Sequence, residues 1–178
     1  GSGDTATQKI WFELAKKYNP TIFDGYEKNS VNSKIISILN NFNEVDFLKD
    51  QSIEDCIIIT ENTCFYGESG GQVGDTGTIK SKNGEFLVKD TKKTPQGIFI
   101  HFGKLISGSI NVGEEVDISI DEERRSLIMK NHSATHLLHA ALRNTLGNHV
   151  AQRGSLVNSE KLRFDFSHNK QISHDDLN

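Results

Sequence analysis

Cysteine and proline are scarce in this chain. Its 178 residues include two cysteines, Cys56 and Cys64, and two prolines. Two cysteines are too few for a disulfide framework, and their spacing differs from the Cys-x2-Cys of a zinc hairpin, so we expect reduced thiols. The low proline content excludes a proline-rich linker. With 35% hydrophobic and 25% charged residues, the composition predicts a folded chain.

Long apolar runs and an excess of positive charge are also missing. No run approaches the roughly 20 apolar residues that span a bilayer, and no basic-then-apolar signal peptide opens the sequence. We therefore expect a cytoplasmic protein with no membrane partner. The formal net charge is -4, so any contact with RNA must be made by a local patch rather than by an overall positive field.

A short helix is predicted near the start of the chain. It follows Gly1-Ser2, a pair typical of a tag remnant. Apolar residues recur at helical spacing over residues 4–18, and Asn19-Pro20 predicts the end of the helix. We assign residues 1–20 to the remnant and this helix, whose apolar stripe indicates packing against another element.

Short β-branched and aromatic runs dominate residues 21–121. Turn clusters such as Lys82-Asn83-Gly84 and Ser107-Gly108 separate them. This spacing predicts a small antiparallel sheet closed into a β-barrel. The predicted strands are residues 21–23, 34–39, 56–60, 85–88, 97–102 and 116–120.

The pattern changes after Asp121. Acidic residues at 121–123 precede apolar positions at helical spacing over residues 124–146, and Gly147 ends this long helix. Residues 150–156 and 162–166 are predicted strands. We expect residues 122–178 to be the first part of a truncated α/β domain. The whole chain is then of the α+β class, a small antiparallel β-barrel followed by this domain.

The long predicted helix contains His132 and His136 in the pattern His-x-x-x-His. Residues four apart lie on one helix face, about 6 Å apart along the axis, so the two imidazoles could bind one zinc ion. The pattern also arises by chance, and the two rings could equally be packing residues. His139 lies on the same face, but it is too far along the axis from His132 for all three to share an ion.

A tetrahedral zinc site needs more protein ligands than two. Neither Cys56 nor Cys64 has ligand spacing, and the remaining histidines form no second pair at this spacing. Either a distant residue completes the site, or the missing ligands lie beyond Asn178.

A glycine-rich segment covers residues 68–77, with glycines at 70, 71, 74 and 77. Glycine permits positive φ and close backbone approach, so this segment could present amides to a ligand. It could also be a turn of the barrel. It lacks the Lys-Ser/Thr end of a Walker loop and does not open a helix as a dinucleotide fingerprint does.

Three segments together resemble the editing domain of the alanyl-tRNA synthetase family in order and spacing. The first is FYGESGGQVGDTG at residues 65–77, and the second is NHSATHLLHAAL at residues 131–142. The third begins QRGSLV at residue 152 and continues as LRFDFSH at residues 162–168. The resemblance covers roughly residues 20–170. The glycine-rich segment points to the alanyl lineage rather than the threonyl one.

The resemblance implies hydrolysis of mischarged Ser-tRNA(Ala) and Gly-tRNA(Ala) at the acceptor end. A pocket shaped for alanine rejects glycine and serine poorly, since one methylene or hydroxyl supplies about 1–3 kcal/mol of discrimination. By resemblance, His132 and His136 are zinc ligands, Thr135 senses the serine hydroxyl, and Gln152 lines the pocket. The loop residues Gly70 and Gly71 and the basic Arg153 are further substrate-contact candidates.

The resemblance also defines what this chain lacks. The family supplies its remaining zinc ligands from a downstream Cys-x-x-x-His pair, which is absent here. We therefore expect a fragment of a longer synthetase, packed against other domains of that protein, that binds zinc weakly or not at all and is weak or inactive in deacylation. ATP and Mg²⁺ would serve only the aminoacylation domain of the longer protein, which joins alanine to tRNA(Ala).

Two other functions remain open. The chain could be a non-catalytic barrel module that docks tRNA or another domain, with His132 and His136 as packing residues. An unrelated zinc hydrolase is less favoured, because the motif lacks the glutamate of His-Glu-x-x-His that acts as a general base. The basic residues Arg124, Arg125 and Lys130, and Arg153, Lys161 and Arg163 beyond them, could meet tRNA phosphates or simply be solvated.

Overall fold

Two α-helices, thirteen β-strands and one short 3-10 helix make up the computed structural model, which describes residues 2–177. The mixed architecture confirms the α+β class predicted from the sequence. The chain divides into two units. The first unit contains the residues up to Ser69 together with Gly74–Glu122, and the second contains Gly70–Val73 and the residues from Glu123 onward.

The secondary-structure elements are numbered in chain order. The helices are α1, Ser2–Lys17, and α2, Glu122–Leu146, and a 3-10 helix covers Asp175–Leu177. The strands are β1 Ile22–Phe23, β2 Ser30–Asn40, β3 Asn43–Val45, β4 Phe47–Leu48, β5 Cys56–Thr60, β6 Asn62–Thr63, β7 Gly77–Lys80, β8 Gly84–Lys93, β9 Phe99–Gly108, β10 Ile110–Asn111, β11 Glu115–Ile120, β12 Ala151–Val157 and β13 Leu162–Ser167.

The first unit is built on one seven-stranded sheet. Its strand order is β11-β7-β8-β9-β5-β2-β3, and β11 also pairs antiparallel with β2. This last pairing closes six strands into the predicted barrel. Burial alternates along β11, as expected for a strand with one face toward the core. The barrel core contains Ile35, Ile38, Ile58, Ile79, Phe65, Phe86 and Leu105.

Helix α1 packs on the outside of this barrel. All five residues of β5 are buried, because its two faces meet different partners. Cys56 and Ile58 point into the barrel core, whereas Ile57 and Ile59 join Leu14 of α1 in a second apolar cluster. The apolar stripe predicted for the N-terminal helix thus has its partner. The uninterrupted run Cys-Ile-Ile-Ile-Thr is typical of a strand covered on both faces.

The predicted strands are confirmed in position, although several are longer than predicted. Residues 107–108 were predicted as a turn, but β9 continues through Gly108, where Gly84 is its cross-strand partner. Gly108 adopts φ +62°, and a side chain at this position would collide with the Asn83 carbonyl. The strand therefore ends at a position that favours glycine. Strand β7 was not predicted, because its four residues follow directly on the glycine-rich segment.

The second unit contains α2 and an antiparallel hairpin. Strands β12 and β13 form a two-stranded sheet with Val157 opposite Leu162 beside the turn and Ala151 opposite Ser167 at the open end. Gly147 ends α2 with φ +115°, and its N–H donates to the Arg143 carbonyl. This glycine confirms the predicted helix end.

Candidate functional site

Helix α2 presents two different faces. Its buried residues are Ile128 and Thr135, which lie seven positions apart on one side. On the other side Leu137 is 72% exposed and Leu127 is 41% exposed. The apolar residues that predicted this helix therefore do not all form its packed face. The buried stripe is the one that carries Ile128 and Thr135.

His132 and His136 meet beside the buried stripe of α2, where His132 is half-buried and His136 is exposed. Their Nε2 atoms are 3.1 Å apart, and their ring centroids are 4.7 Å apart with nearly perpendicular planes. The two rings therefore approach each other obliquely through the nitrogen atoms that metals bind. This arrangement follows from helix geometry, since the residues are one turn apart.

The separation of these nitrogens fits a shared zinc ion. Two nitrogens bound to one tetrahedral zinc at about 2.0–2.1 Å lie about 3.3 Å apart, close to the observed 3.1 Å. Within residues 2–177, no group of three or more His, Cys, Asp or Glu side chains is arranged to hold a metal ion. Cys56 and Cys64 are both buried in the barrel core. The described residues thus supply two ligands of a possible site.

Thr135 lies between these histidines and is 7% exposed. Its hydroxyl donates to the main-chain carbonyl of Asn131 at 3.0 Å. Because the hydroxyl proton is used in this bond, Oγ1 is left to accept a hydrogen bond from a ligand. The Asn131 side chain in turn donates from Nδ2 to the Asn158 carbonyl at 2.7 Å.

The β12–β13 hairpin places Gln152 on the face that packs against α2. His139 of α2 packs on Phe164 with centroids 5.2 Å apart, and Phe164 stacks on Phe166. Gln152 is the cross-strand partner of Phe166, and directly opposed residues lie on the same sheet face. Gln152 is exposed, so its amide remains accessible on this face.

Arg153 sits at a bulge in β12. The register shifts between Gln152 and Gly154, so Arg153 is the extra residue, and its side chain is exposed. The other basic side chain of this hairpin, Arg163, forms an ion pair with Asp165 at 3.1 Å. A bulge changes the direction in which a side chain leaves the strand, so Arg153 points differently from a residue at the same place in a regular strand.

The glycine-rich segment pairs with β12 through one isolated β-bridge, between Gln72 and Val157. Val157 donates its N–H to the Gly71 carbonyl at 2.9 Å, and Val73 donates to the Val157 carbonyl at 3.2 Å. Gly71 has φ +84°, and a Cβ there would lie 2.4 Å from the Ser155 carbonyl oxygen. Gly70 also has positive φ but has no atom within 4 Å of such a Cβ. Gly71 is therefore required for close packing on β12.

A second pair of histidines lies at the open end of the hairpin and was missed by sequence reasoning. His149 Nε2 is 2.7 Å from His168 Nδ1, with centroids 4.9 Å apart and planes only 22° apart. The distance between the centroids exceeds the distance between the nitrogens by nearly two ring radii. The two rings therefore lie edge to edge rather than stacked, joined by one hydrogen bond. Pairing the two predicted strands would have brought residues 149 and 168 together.

Three similarities identify the family of this chain. The family model for class II (A) tRNA synthetases matches residues 2–124. An alanine–tRNA ligase of Chelativorans sp. (strain BNC1) is 45% identical over 177 residues, and one of Rhodopseudomonas palustris (strain ATCC BAA-98 / CGA009) is 47% identical over the same length. Each alignment covers 99% of this chain and 20% of the ligase.

These similarities confirm the resemblance to alanyl-tRNA synthetase that three sequence motifs indicated. The chain spans about a fifth of the length of the curated relatives it matches. Neither helix within residues 2–177 is both long and apolar enough to cross a membrane. Since the family model matches well over half of its residues, the chain belongs to the class II (A) tRNA synthetases.

Proposed function

We propose that the second unit carries an editing site that hydrolyses Ser-tRNA(Ala) and Gly-tRNA(Ala). The observation that carries this proposal is the oblique approach of the His132 and His136 Nε2 atoms at 3.1 Å, with buried Thr135 on the same helix. The longer protein would join alanine to tRNA(Ala) with ATP and Mg²⁺, in a domain outside this chain. The similarity to alanine–tRNA ligases supports the second part of the proposal.

His132 and His136 would hold a zinc ion together with ligands from outside the described residues. Zinc, when bound, can polarise a carbonyl or lower the pKa of water, and it can orient a substrate. The chain's own contribution is the fixed position of the two imidazoles, one turn apart on a helix. The family's Cys-x-x-x-His pair is absent from this chain, so we expect weak zinc binding here.

Thr135 and Gln152 would recognise the aminoacyl group. Thr135 Oγ1 can accept a hydrogen bond from the serine hydroxyl, because its own proton is donated to Asn131. Alanine and glycine have no hydroxyl, so this hydrogen bond favours serine over both. The Gln152 amide, with both donors and an acceptor, is suited to the amino group or carbonyl of the ester.

The reaction is the hydrolysis of an ester. Water attacks the carbonyl carbon, the bond from that carbon to the ribose oxygen breaks, and free serine or glycine leaves a tRNA with its ribose hydroxyl restored. Exposed Arg153 and Lys161 lie in the same unit and could bind phosphates of the acceptor end. Binding of tRNA should then weaken as salt is raised.

The test is deacylation of Ser-tRNA(Ala), Gly-tRNA(Ala) and Ala-tRNA(Ala) by the chain. We expect slow release of serine and glycine with alanine spared, and loss of release in His132→Ala. His149→Ala is the matched control, since it removes a histidine from the other pair. Binding of tRNA without any release, with or without added zinc, would contradict the proposal and favour a non-catalytic docking module.

A further inference from the structure

Asn131 links the turn of the hairpin to Thr135. Its side chain donates to the Asn158 carbonyl at 2.7 Å, and its own carbonyl accepts the Thr135 hydroxyl at 3.0 Å. We propose that Asn131 is a positioning residue for serine selectivity, which sets the place of the Thr135 hydroxyl relative to the hairpin. This inference rests on the editing function proposed above.

The acceptor used by Asn131 belongs to a well-ordered turn. Asn158 Oδ1 accepts the N–H groups of Glu160 at 2.9 Å and Lys161 at 2.8 Å. The Asn158 N–H donates to the Lys161 carbonyl at 3.0 Å. A side chain that binds its own backbone in this way fixes a turn. The Asn158 carbonyl is therefore a fixed anchor for the helix.

The glycine-rich segment fixes the residue before this turn. Val157 bonds through its N–H to Gly71 and through its carbonyl to Val73. The close approach of Gly71 to Ser155 leaves no room for a side chain. The bonds from Gly71 to Val157, from Asn158 to Asn131 and from Asn131 to Thr135 form one continuous path. This path gives the glycine motif a role as a brace for the hairpin.

Loss of the Asn131 amide should affect serine more than glycine. Serine is recognised through the Thr135 hydroxyl, so a shift of α2 against the hairpin changes the length and angle of that hydrogen bond. Glycine has no hydroxyl, and its hydrolysis does not depend on this bond. A residue with a merely structural role would lower both rates by the same factor. The ratio of the two rates therefore separates positioning from stability.

The first measurement needs no substrate. Asn131→Ala removes the amide, and Asn144→Ala is its matched control, because both change an asparagine of α2 to alanine and Asn144 is exposed. We expect Asn131→Ala to shift the Thr135 methyl resonance and to speed amide exchange at Val157 and Lys161, and Asn144→Ala to leave both unchanged. Equal behaviour of the two variants would overturn the proposal.

The second measurement is the ratio of Ser-tRNA(Ala) to Gly-tRNA(Ala) deacylation. We expect this ratio to fall about tenfold in Asn131→Ala and to recover in part in Asn131→Gln, which keeps the amide donor. An unchanged ratio, with both rates reduced together, would overturn the inference. If the unsubstituted chain releases neither amino acid, the editing function fails, while the resonance and exchange data still decide whether Asn131 positions Thr135.

Discussion

The histidine inside the barrel and the His132–His136 pair of the second unit have different hydrogen-bond partners. His101 is fully buried, and both its ring nitrogens bond to the protein, Nδ1 to the Ile58 carbonyl and Nε2 to Thr63 Oγ1, each at 2.8 Å. Because a carbonyl can only accept, Nδ1 donates and Nε2 accepts from the threonine. His132 and His136 instead turn Nε2 toward Nε2. A ring satisfied by the protein is structural, whereas two facing nitrogens can share an ion.

The apolar cores of the two units also differ, in the number of large side chains that they bury. The barrel buries a large closed cluster of isoleucine, phenylalanine and leucine side chains. Helix α2 buries Ile128 and Thr135, while Leu137 remains 72% exposed. We therefore expect the barrel to contribute most of the free energy of unfolding, and the second unit to carry the proposed catalytic residues. Substitutions in the two units should separate these properties.

The largest expected effect is on the barrel core. Phe65 is fully buried and packs edge-on against His101, so Phe65→Ala should lower the free energy of unfolding by about 3–5 kcal/mol. Leu137→Ala in the second unit should change it by less than about 0.5 kcal/mol, as for other exposed sites. Urea unfolding followed by the fluorescence of Trp11 in the first unit, and by backbone amide resonances of α2 in the second, measures both. Equal losses would remove the contrast between the units.

Acid should destabilise the barrel through His101. Burial lowers its pKa from 6.5 to about 4, so the unfolded state binds this proton below pH 6.5 and the folded state does not until about pH 4. The free energy of unfolding should then fall by about 3 kcal/mol as pH drops through this window. His101→Gln should flatten the profile, and the exposed His174→Gln should not. A profile unchanged by His101→Gln would contradict this assignment.

The glycine-rich segment allows a comparison of neighbouring positions. Gly70→Ala should cost about 1 kcal/mol, because alanine is strained at φ +58° but meets no atom. Gly71→Ala should cost about 2–3 kcal/mol, since the same strain is joined by contact with the Ser155 carbonyl. Amide exchange along β12 reports both losses. Identical exchange in the two variants would show that Gly71 is not part of the brace.

Thr135 gives the smallest of these effects and the most specific one. Thr135→Val keeps the shape but removes the oxygen that accepts from serine, so serine release should fall about tenfold relative to glycine release. Thr135→Ser should keep the serine preference. Parallel deacylation assays give the ratio. A Thr135→Val variant that still prefers serine would exclude this hydroxyl as the sensor.

Local patterns predicted much of the fold. The run of β-branched residues at 56–60 predicts β5 with its observed bounds, and Gly147 predicts the end of α2. Both signals are contained in a few consecutive residues. Strand β7 was missed because it begins at Gly77, the last glycine of a segment whose composition is typical of loops. Strand β7 forms because it pairs with β8 and β11, which are distant in sequence or unrecognisable as partners from its own four residues.

The site was predictable only where it lies on one element. Helical spacing predicts that His132 and His136 share a face, and their rings do meet. The pairing of Gly71 with Val157 and the contact of Asn131 with Asn158 join residues far apart in sequence. The periodicity of apolar residues within one element does not predict contacts between residues that are far apart in sequence. Whether Thr135, Gln152, Gly70, Gly71 and Arg153 contact a substrate stays a prediction.

The most direct test compares the two histidine pairs in one zinc titration followed by the imidazole resonances. Both pairs are within hydrogen-bond distance, but the rings of His132 and His136 are nearly perpendicular with Nε2 facing Nε2 at 3.1 Å, whereas His149 and His168 meet head-on at 2.7 Å. We predict that the His132 and His136 resonances shift together and at a lower zinc concentration than those of the other pair, and that His136→Ala abolishes the shift of His132. Unshifted His132 and His136 resonances at excess zinc, or shifts of His149 and His168 at a lower zinc concentration, would contradict the account.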